Sequence, residues 1–182
     1  MKGHYSNILC VLSDTHRQDD VIAQAVHIAK SHQATLTIML SLESLPPNAN
    51  MVMESFSYID SQSSMETQAQ DWLRNQAEKW EEKYPTQTKV SIGSPLIDII
   101  TNVIKYQYDL VIKRAEESFL DRLFGSLDMR LLRKCPCPVW VLHQKCTSQY
   151  KNVVAALDLN YHYPKHEISV RKKLNADILR HA

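Results

Sequence analysis

The chain has 182 residues, a length that suits one domain with some additional sequence. Its 44% hydrophobic content is sufficient for a packed core, and its formal net charge is +1. This charge balance argues against nucleic acid as a main partner, because phosphate binding usually requires a strong basic excess. No apolar run approaches the ~20 residues that span a bilayer, and the N-terminal sequence lacks a signal-peptide pattern. We therefore expect a cytoplasmic protein with no membrane span.

Predicted strands and helices alternate along the chain. Short, continuous apolar runs are typical of strands that are buried on both faces. The predicted strands are Ile8–Leu12, Ala34–Leu40, Gln87–Ile92, Asp109–Lys113 and Val139–Leu142. Apolar residues at helical spacing predict helices at about 19–32 and 65–84, from Pro95, and after Gly125. Because alternating strands and helices pair in parallel through right-handed crossovers, the sequence predicts an open parallel α/β sheet with helices on both faces.

Local features refine this prediction. The stretch from Ser41 to about Asp60 is expected to form an irregular flap. Ser94 is expected to cap the third predicted helix, with Pro95 in its first position. That helix and the helix after Gly125 are each expected to bury one apolar stripe. The stripes are Ile97, Ile100, Val103 and Ile104, and then Leu127, Met129, Leu131 and Leu132.

The C-terminal sequence repeats the N-terminal one. Tyr150–Asp158 (YKNVVAALD) resembles Tyr5–Ser13 (YSNILCVLS). We therefore interpret residues 1–146 as one domain and residues 147–182 as the truncated start, a strand plus a helix, of a second, repeated domain. So small a piece cannot bury a core of its own. It is expected to dock on the first domain, to exchange with a neighbouring chain or to stay mobile.

The sequence carries no nucleophile or metal motif. It lacks the Gly-x-Ser-x-Gly turn of serine hydrolases and the Walker A loop. Cys135 and Cys137 have a C-x-C spacing without a second pair at zinc-finger distance, so we interpret them as reduced thiols at the entrance to a strand. The histidines show no metal-ligand spacing. We predict no catalytic residue, no metal site and no enzyme activity.

Three stretches, in this order and spacing, resemble the universal stress protein family. They are ILCVLSD at residues 8–14, GSPLIDIITNVIKYQYDLVIK at 93–113 and FGSLDMRLLRKCPCPVWVL at 124–142. The resemblance implies a Rossmann-like, five-stranded sheet of order 3-2-1-4-5. Together with the repeated tail, it implies a tandem, two-domain bacterial member that is cut after the start of its second domain.

The resemblance also implies association through the last strand, which here consists of Val139, Trp140, Val141 and Leu142. An exposed apolar strand at a sheet edge invites pairing with another chain. We expect a homodimer through this edge, pairing with the tandem domain, or capping by the tail strand Asn152–Leu157.

One branch of the family binds ATP through a Gly-x2-Gly-x9-Gly-Ser/Thr fingerprint. Gly125 and Ser126 match its last two positions, and Asp14 stands where an acid faces the adenosine. The first two glycine positions fall on Ile112 and Ala115, or on Lys113 and Glu116 in a second alignment. Glycines there let backbone amides approach phosphate without an intervening Cβ. The phosphate cradle is therefore predicted to be degraded.

The implied cleft also includes Ser41, at the second strand, where it would touch the base. Lys113 and Arg114 would supply countercharge, whereas Glu116 and Glu117 would repel a phosphate. The candidate cofactor-binding residues are Ser13, Asp14, Ser41, Lys113, Arg114, Gly125 and Ser126.

Two hypotheses follow from these residues. The first is a non-enzymatic stress-response module that dimerises and binds partners or a small ligand, with no cofactor expected. The second is a regulatory switch that binds ATP. If Phe119, Leu123 or Phe124 fills the cleft, the first is favoured; an open loop over Ser126 favours the second.

Overall fold

The computed structural model describes residues 5–16, 18–44, 55–115, 126–143, 152–160 and 162–181. For residues 55–60, 62 and 181 it describes the backbone alone. The chain divides into two compact units, Met1–Cys146 and Thr147–Ala182. Among the described residues, none of the helices combines the length and apolar character that crossing a bilayer requires.

Strands and helices alternate in the first unit. Its described elements are β1 (Asn7–Leu12), α1 (Asp19–His32), β2 (Thr35–Glu43), α2 (Ser55–Glu81), β3 (Thr86–Gly93), α3 (Pro95–Tyr106), β4 (Leu110–Arg114), α4 (Leu127–Lys134) and β5 (Val139–Leu142). The strands form one parallel sheet of order β3-β2-β1-β4-β5. The predicted Rossmann-like fold and its strand order are confirmed.

β1 lies at the centre of the sheet and is buried on both faces. Ile8, Cys10 and Leu12 point into a core shared with α1 and α2. Leu9 and Val11 point into a second core shared with α3 and α4. Because all strands run in parallel, the segments that follow β1, β2 and β3 meet at the same carboxyl end of the sheet.

The buried face of α3 differs from the predicted stripe. α3 buries Leu96, Ile99 and Val103, whereas Ile97 and Ile104 are 63% and 58% exposed. Apolar residues occupy two adjacent stripes of this helix, and each satisfies helical spacing. Packing against the sheet, rather than periodicity, therefore decides which stripe is buried.

Several other predictions need correction. α4 buries Leu131, but Met129 and Leu132 are exposed. α3 begins at Pro95 as expected, yet the Ser94 side chain makes no capping hydrogen bond. β2 ends at Glu43 and α2 begins at Ser55, so both ends of the predicted flap are regular structure. Residues 45–54 of that flap lie outside the described part of the chain.

The second unit contains α5 (Lys165–His181). The strand predicted at 152–157 is not formed, since the described residues 152–160 belong to no strand. A strand needs a neighbour for its backbone hydrogen bonds, and the described part of this unit offers none. Instead, Asn175 bonds to both backbone groups of Asp158, whose carboxylate pairs with Arg171. The assignment of this unit to a repeated domain stays a prediction.

Candidate ligand-binding site

A pocket of about 540 Å³ opens at the carboxyl end of the sheet in the first unit. Its described polar lining comes from the ends of strands and the starts of helices. These residues are Ser13 after β1, Ser41 and Glu43 in β2, Ser94 before α3, Ser126 before α4 and Arg130 in α4. The apolar lining consists of Val11, Pro95, Leu96, Ile99 and Leu127. Small-molecule sites usually measure about 300–1,000 Å³, so this pocket is large enough to hold a ligand.

Ser41 lines this pocket and carries an unsatisfied hydroxyl. The residue is 2% exposed, and its Oγ has no hydrogen-bond partner among the described residues. A buried hydroxyl without a partner costs about 1–3 kcal/mol. A ligand group that forms a hydrogen bond with Ser41 Oγ would remove this cost.

Two helices begin at the pocket, and their N-termini add partial positive charge. Ser126 caps α4, because its Oγ accepts a hydrogen bond from the backbone N–H of Met129 at 3.3 Å. Arg130 contributes a cation to the lining and Glu43 contributes a carboxylate. The formal charges of the described lining therefore balance, and the helix N-termini leave a modest preference for one negative charge.

Asp14 is exposed and is not part of the described pocket lining. Its Oδ1 accepts hydrogen bonds from the backbone N–H of His16 at 2.6 Å and from Nε2 of Gln18 at 2.8 Å. The carboxylate thus organises the turn between β1 and α1. The structure brings Ser13, Ser41 and Ser126 together at the pocket. The carboxylate of Asp14 instead accepts hydrogen bonds within its own turn.

The two cations predicted as phosphate countercharges are both paired with carboxylates of the protein. Lys113 is fully buried and forms an ion pair with Asp128, in the first turn of α4. Arg114 forms an ion pair with Asp20, in the first turn of α1. Neither cation is part of the described pocket lining. Both charges are balanced by carboxylates of the protein, in the interior for Lys113 and in a partly exposed pair for Arg114.

The degraded fingerprint coincides with a strand. Ile112 and Lys113 lie within β4, where both are buried. The first glycine position of the fingerprint therefore falls on a bulky apolar side chain in one alignment and on a paired lysine in the other. Gly125 and the loop residues 116–124 lie outside the described residues.

Functional residues of two kinds were not predicted from the sequence. Glu43, Ser94 and Arg130 line the pocket, and strand-end position was an available signal for the first two. Asp20 and Asp128 neutralise the cations. Each acid stands in the first turn of a helix, where negative charge is commonly explained by the helix dipole alone.

A sequence model of the universal stress protein family matches residues 4–143. The chain belongs to the universal stress protein family. Universal stress protein E of Photorhabdus laumondii is 26% identical over 177 residues, which cover 93% of this chain and 55% of the relative. The chain therefore spans about half the length of the curated relatives it matches.

Solved structures of the family share the fold. Universal stress protein UspA from Lactobacillus plantarum is 23% identical, with a TM-score of 0.60 over 76% of this chain and 97% of that chain. A universal stress protein in complex with cAMP is 17% identical, with a TM-score of 0.52 over 77% of this chain and 98% of that chain. At these identities the likeness extends to the fold alone.

Proposed function

We propose that this protein is a non-enzymatic binding module. It binds a small ligand of nucleoside size at the carboxyl end of its sheet, and it acts by assembling with a second copy or with another domain. In this proposal the ligand contacts Ser41 and Arg130, whereas Lys113 and Arg114 take no part in binding a triphosphate.

The pairing of the two cations carries this proposal. An ATP cradle would use Lys113 and Arg114 as countercharge, but Asp128 and Asp20 already neutralise them. A triphosphate that recruited Lys113 would have to separate it from Asp128. Breaking a buried ion pair by removing one partner costs about 3–5 kcal/mol. This cost opposes polyphosphate binding, but it does not affect a neutral or singly charged ligand.

The pocket supports a ligand that is partly flat and partly polar. Pro95 and Leu127 are partly exposed and offer an apolar surface to a ring, while Ser13 and Ser41 offer hydroxyls to its polar edge. The family member in complex with cAMP is an example of a nucleotide with a single phosphate bound to this fold.

Isothermal titration with adenosine, cAMP and MgATP tests the ligand class. We expect saturable binding of adenosine or cAMP, MgATP binding that is no tighter, and no phosphate release above a protein-free control. MgATP binding ten-fold tighter than adenosine contradicts the proposal. So do phosphate release and the absence of saturable binding by both adenosine and cAMP.

Ser41→Ala tests the pocket assignment. The change removes an unpartnered hydroxyl, so the ligand-free protein should keep its stability or gain up to about 1 kcal/mol. Affinity for the bound nucleoside should fall about five-fold or more, in line with the loss of one net hydrogen bond. Thr37→Val is the matched control, since Thr37 is buried in the same strand and bonds to Gln87 away from the pocket. Its ligand affinity should equal that of the wild type.

The assembly half of the proposal concerns β5, which pairs with β4 alone in the described sheet. Pro138 and Leu142 direct their carbonyls to β4, so the backbone of Val139 and Val141 faces outward. Val141→Pro removes one outward N–H without touching the β4 ladder, and Val141→Thr keeps it. Light scattering should give a dimer for the wild type and Val141→Thr and a monomer for Val141→Pro. A monomeric wild type contradicts assembly through this edge.

A nucleotide switch of the same fold is the second candidate. The N-terminus of α4 at Ser126 and the cation of Arg130 favour it, since together they can hold one phosphate. Tighter binding of MgATP than of adenosine in the titration selects this alternative.

A further inference from the structure

Cys135 and Cys137 lie side by side in the turn between α4 and β5. Their Sγ atoms are 3.6 Å apart, and both residues are partly exposed. A disulfide has an S–S distance of about 2.05 Å, so closure needs the two sulfurs to approach by roughly 1.5 Å. Side-chain rotation can supply much of that movement.

Backbone hydrogen bonds hold the turn at both ends. The N–H of Cys135 donates to the carbonyl of Leu131 at 2.8 Å, and the carbonyl of Pro138 accepts from the N–H of Val111 at 3.0 Å. Pro136 and Pro138 also restrict the backbone around Cys137. The two thiols are therefore kept in contact while α4 and β5 stay in place.

The contact makes the two thiols unequal. The hydrogen bond with Cys137 lowers the pKa of Cys135 to about 7. The same hydrogen bond, burial and the charges of Cys135 and Asp109 raise the pKa of Cys137. Tyr5 also lies near Cys137, and the pKa of its phenol is raised by burial first and by Asp109 next. Because the thiolate is the nucleophile, Cys135 is suited to attack and Cys137 to resolve.

We propose that Cys135 and Cys137 form a reversible redox site that exchanges with low-molecular-weight disulfides. The Cys135 thiolate attacks one sulfur of the disulfide, whose S–S bond breaks and releases one thiolate. Cys137 then loses its proton to solvent and attacks Cys135 Sγ in the mixed disulfide, which releases the second thiolate. The protein dithiol gives up two electrons to form one disulfide, and the small disulfide is reduced to two thiols.

A ring closed across a single intervening residue is small and strained, and the pair is partly exposed. Strained or exposed disulfides have more oxidising potentials and are the labile ones. The site is therefore expected to be reduced at rest and to close only when the disulfide concentration rises.

The test uses the full chain with Cys146→Ser, so that the pair and Cys10 are the remaining thiols. The protein is equilibrated in glutathione buffers of rising disulfide fraction, quenched in acid and alkylated with N-ethylmaleimide. Mass spectrometry of the peptide that contains both cysteines should show an internal disulfide, which is reversed by excess glutathione. Cys10 is an internal control for folding, since full burial raises its pKa to about 12 and it should stay unmodified before unfolding.

Single variants assign the two roles. Cys137→Ser should accumulate a glutathione mixed disulfide on Cys135, because no resolving thiol is present, and Cys135→Ser should react more slowly. The pH of half-maximal alkylation of Cys135 should lie near 7 in the intact pair, and it should move above 8 in Cys137→Ala, which removes the hydrogen-bond donor that lowers the Cys135 pKa. Two thiols that both stay alkylatable in excess glutathione disulfide overturn the proposal. Two separate glutathione adducts, or equal reactivity of the single variants, also overturn it.

Discussion

The two ends of the sheet in the first unit use their reactive side chains in opposite ways. At the carboxyl end, Lys113 and Arg114 are paired with carboxylates and lie outside the described pocket lining. At the amino end, Asp109 holds the start of β1, while Cys135 and Cys137 touch each other and remain partly exposed. The position of a residue in the fold therefore determines where a site can form. The partners of its side chain determine which chemistry is available there.

The largest effect is expected at the buried ion pair of the carboxyl end. Asp128→Ala removes this carboxylate from the fully buried Lys113 and should lower the free energy of unfolding by about 3–5 kcal/mol. A double variant, Lys113→Met with Asp128→Leu, replaces both charges with apolar groups and should lose much less. Urea denaturation measures both changes. Equal losses in the two variants would show that the pairing is not what matters.

A smaller effect is expected at the amino end. The Asp109 carboxylate accepts hydrogen bonds from the backbone N–H groups of Ser6 and Asn7, at 2.6 and 3.0 Å. Asp109→Asn should lower the free energy of unfolding by about 1–3 kcal/mol. Its lost negative charge should also lower the pKa of Cys137, so glutathione should leave the mixed disulfide on Cys135 faster. Asp71→Asn, at an exposed position of α2, should change neither stability nor this rate.

The smallest effect on stability is expected for Asp20→Asn, since its pair with Arg114 is partly exposed. The free energy of unfolding should fall by at most about 1 kcal/mol. Releasing Arg114 should raise the affinity for MgATP several-fold, because a countercharge becomes available. The matched control is Asp19→Asn, which removes a charge from the same first turn of α1. A similar gain in that control would attribute the change to net charge instead.

The strands were accessible from the sequence, because runs such as Ile8–Leu12 are buried on both faces of a parallel sheet and leave a continuous apolar signal. Their order came from the resemblance to the family and not from these runs. The buried face of α3 was not accessible, since Ile97 and Ile99 lie on adjacent stripes and only tertiary packing separates them. The strand predicted in the tail, at 152–157, was wrong for the opposite reason. Its local pattern favours a strand, but strand formation requires a neighbour.

The candidate site was predictable in position and not in its charges. Ser41 and Ser126 stand at strand-end and helix-start positions that the fold brings together. Lys113 pairs with Asp128, which lies 15 residues away on another element. In the sequence, an acidic residue at that position is equally well explained by its place at a helix N-terminus. No local pattern marks such a pair, so the neutralised cations required the structure.

Phosphorus NMR of ATP in the presence of the wild-type protein shows whether Lys113 contacts polyphosphate. It is combined with proton saturation-transfer spectra of the same sample. We expect saturation transfer to the adenine protons and no protein-dependent shift of the terminal phosphate resonances. A saturable shift of those phosphate resonances that disappears in Lys113→Met would show that the lysine binds polyphosphate, and would contradict the proposal that Lys113 takes no part in binding.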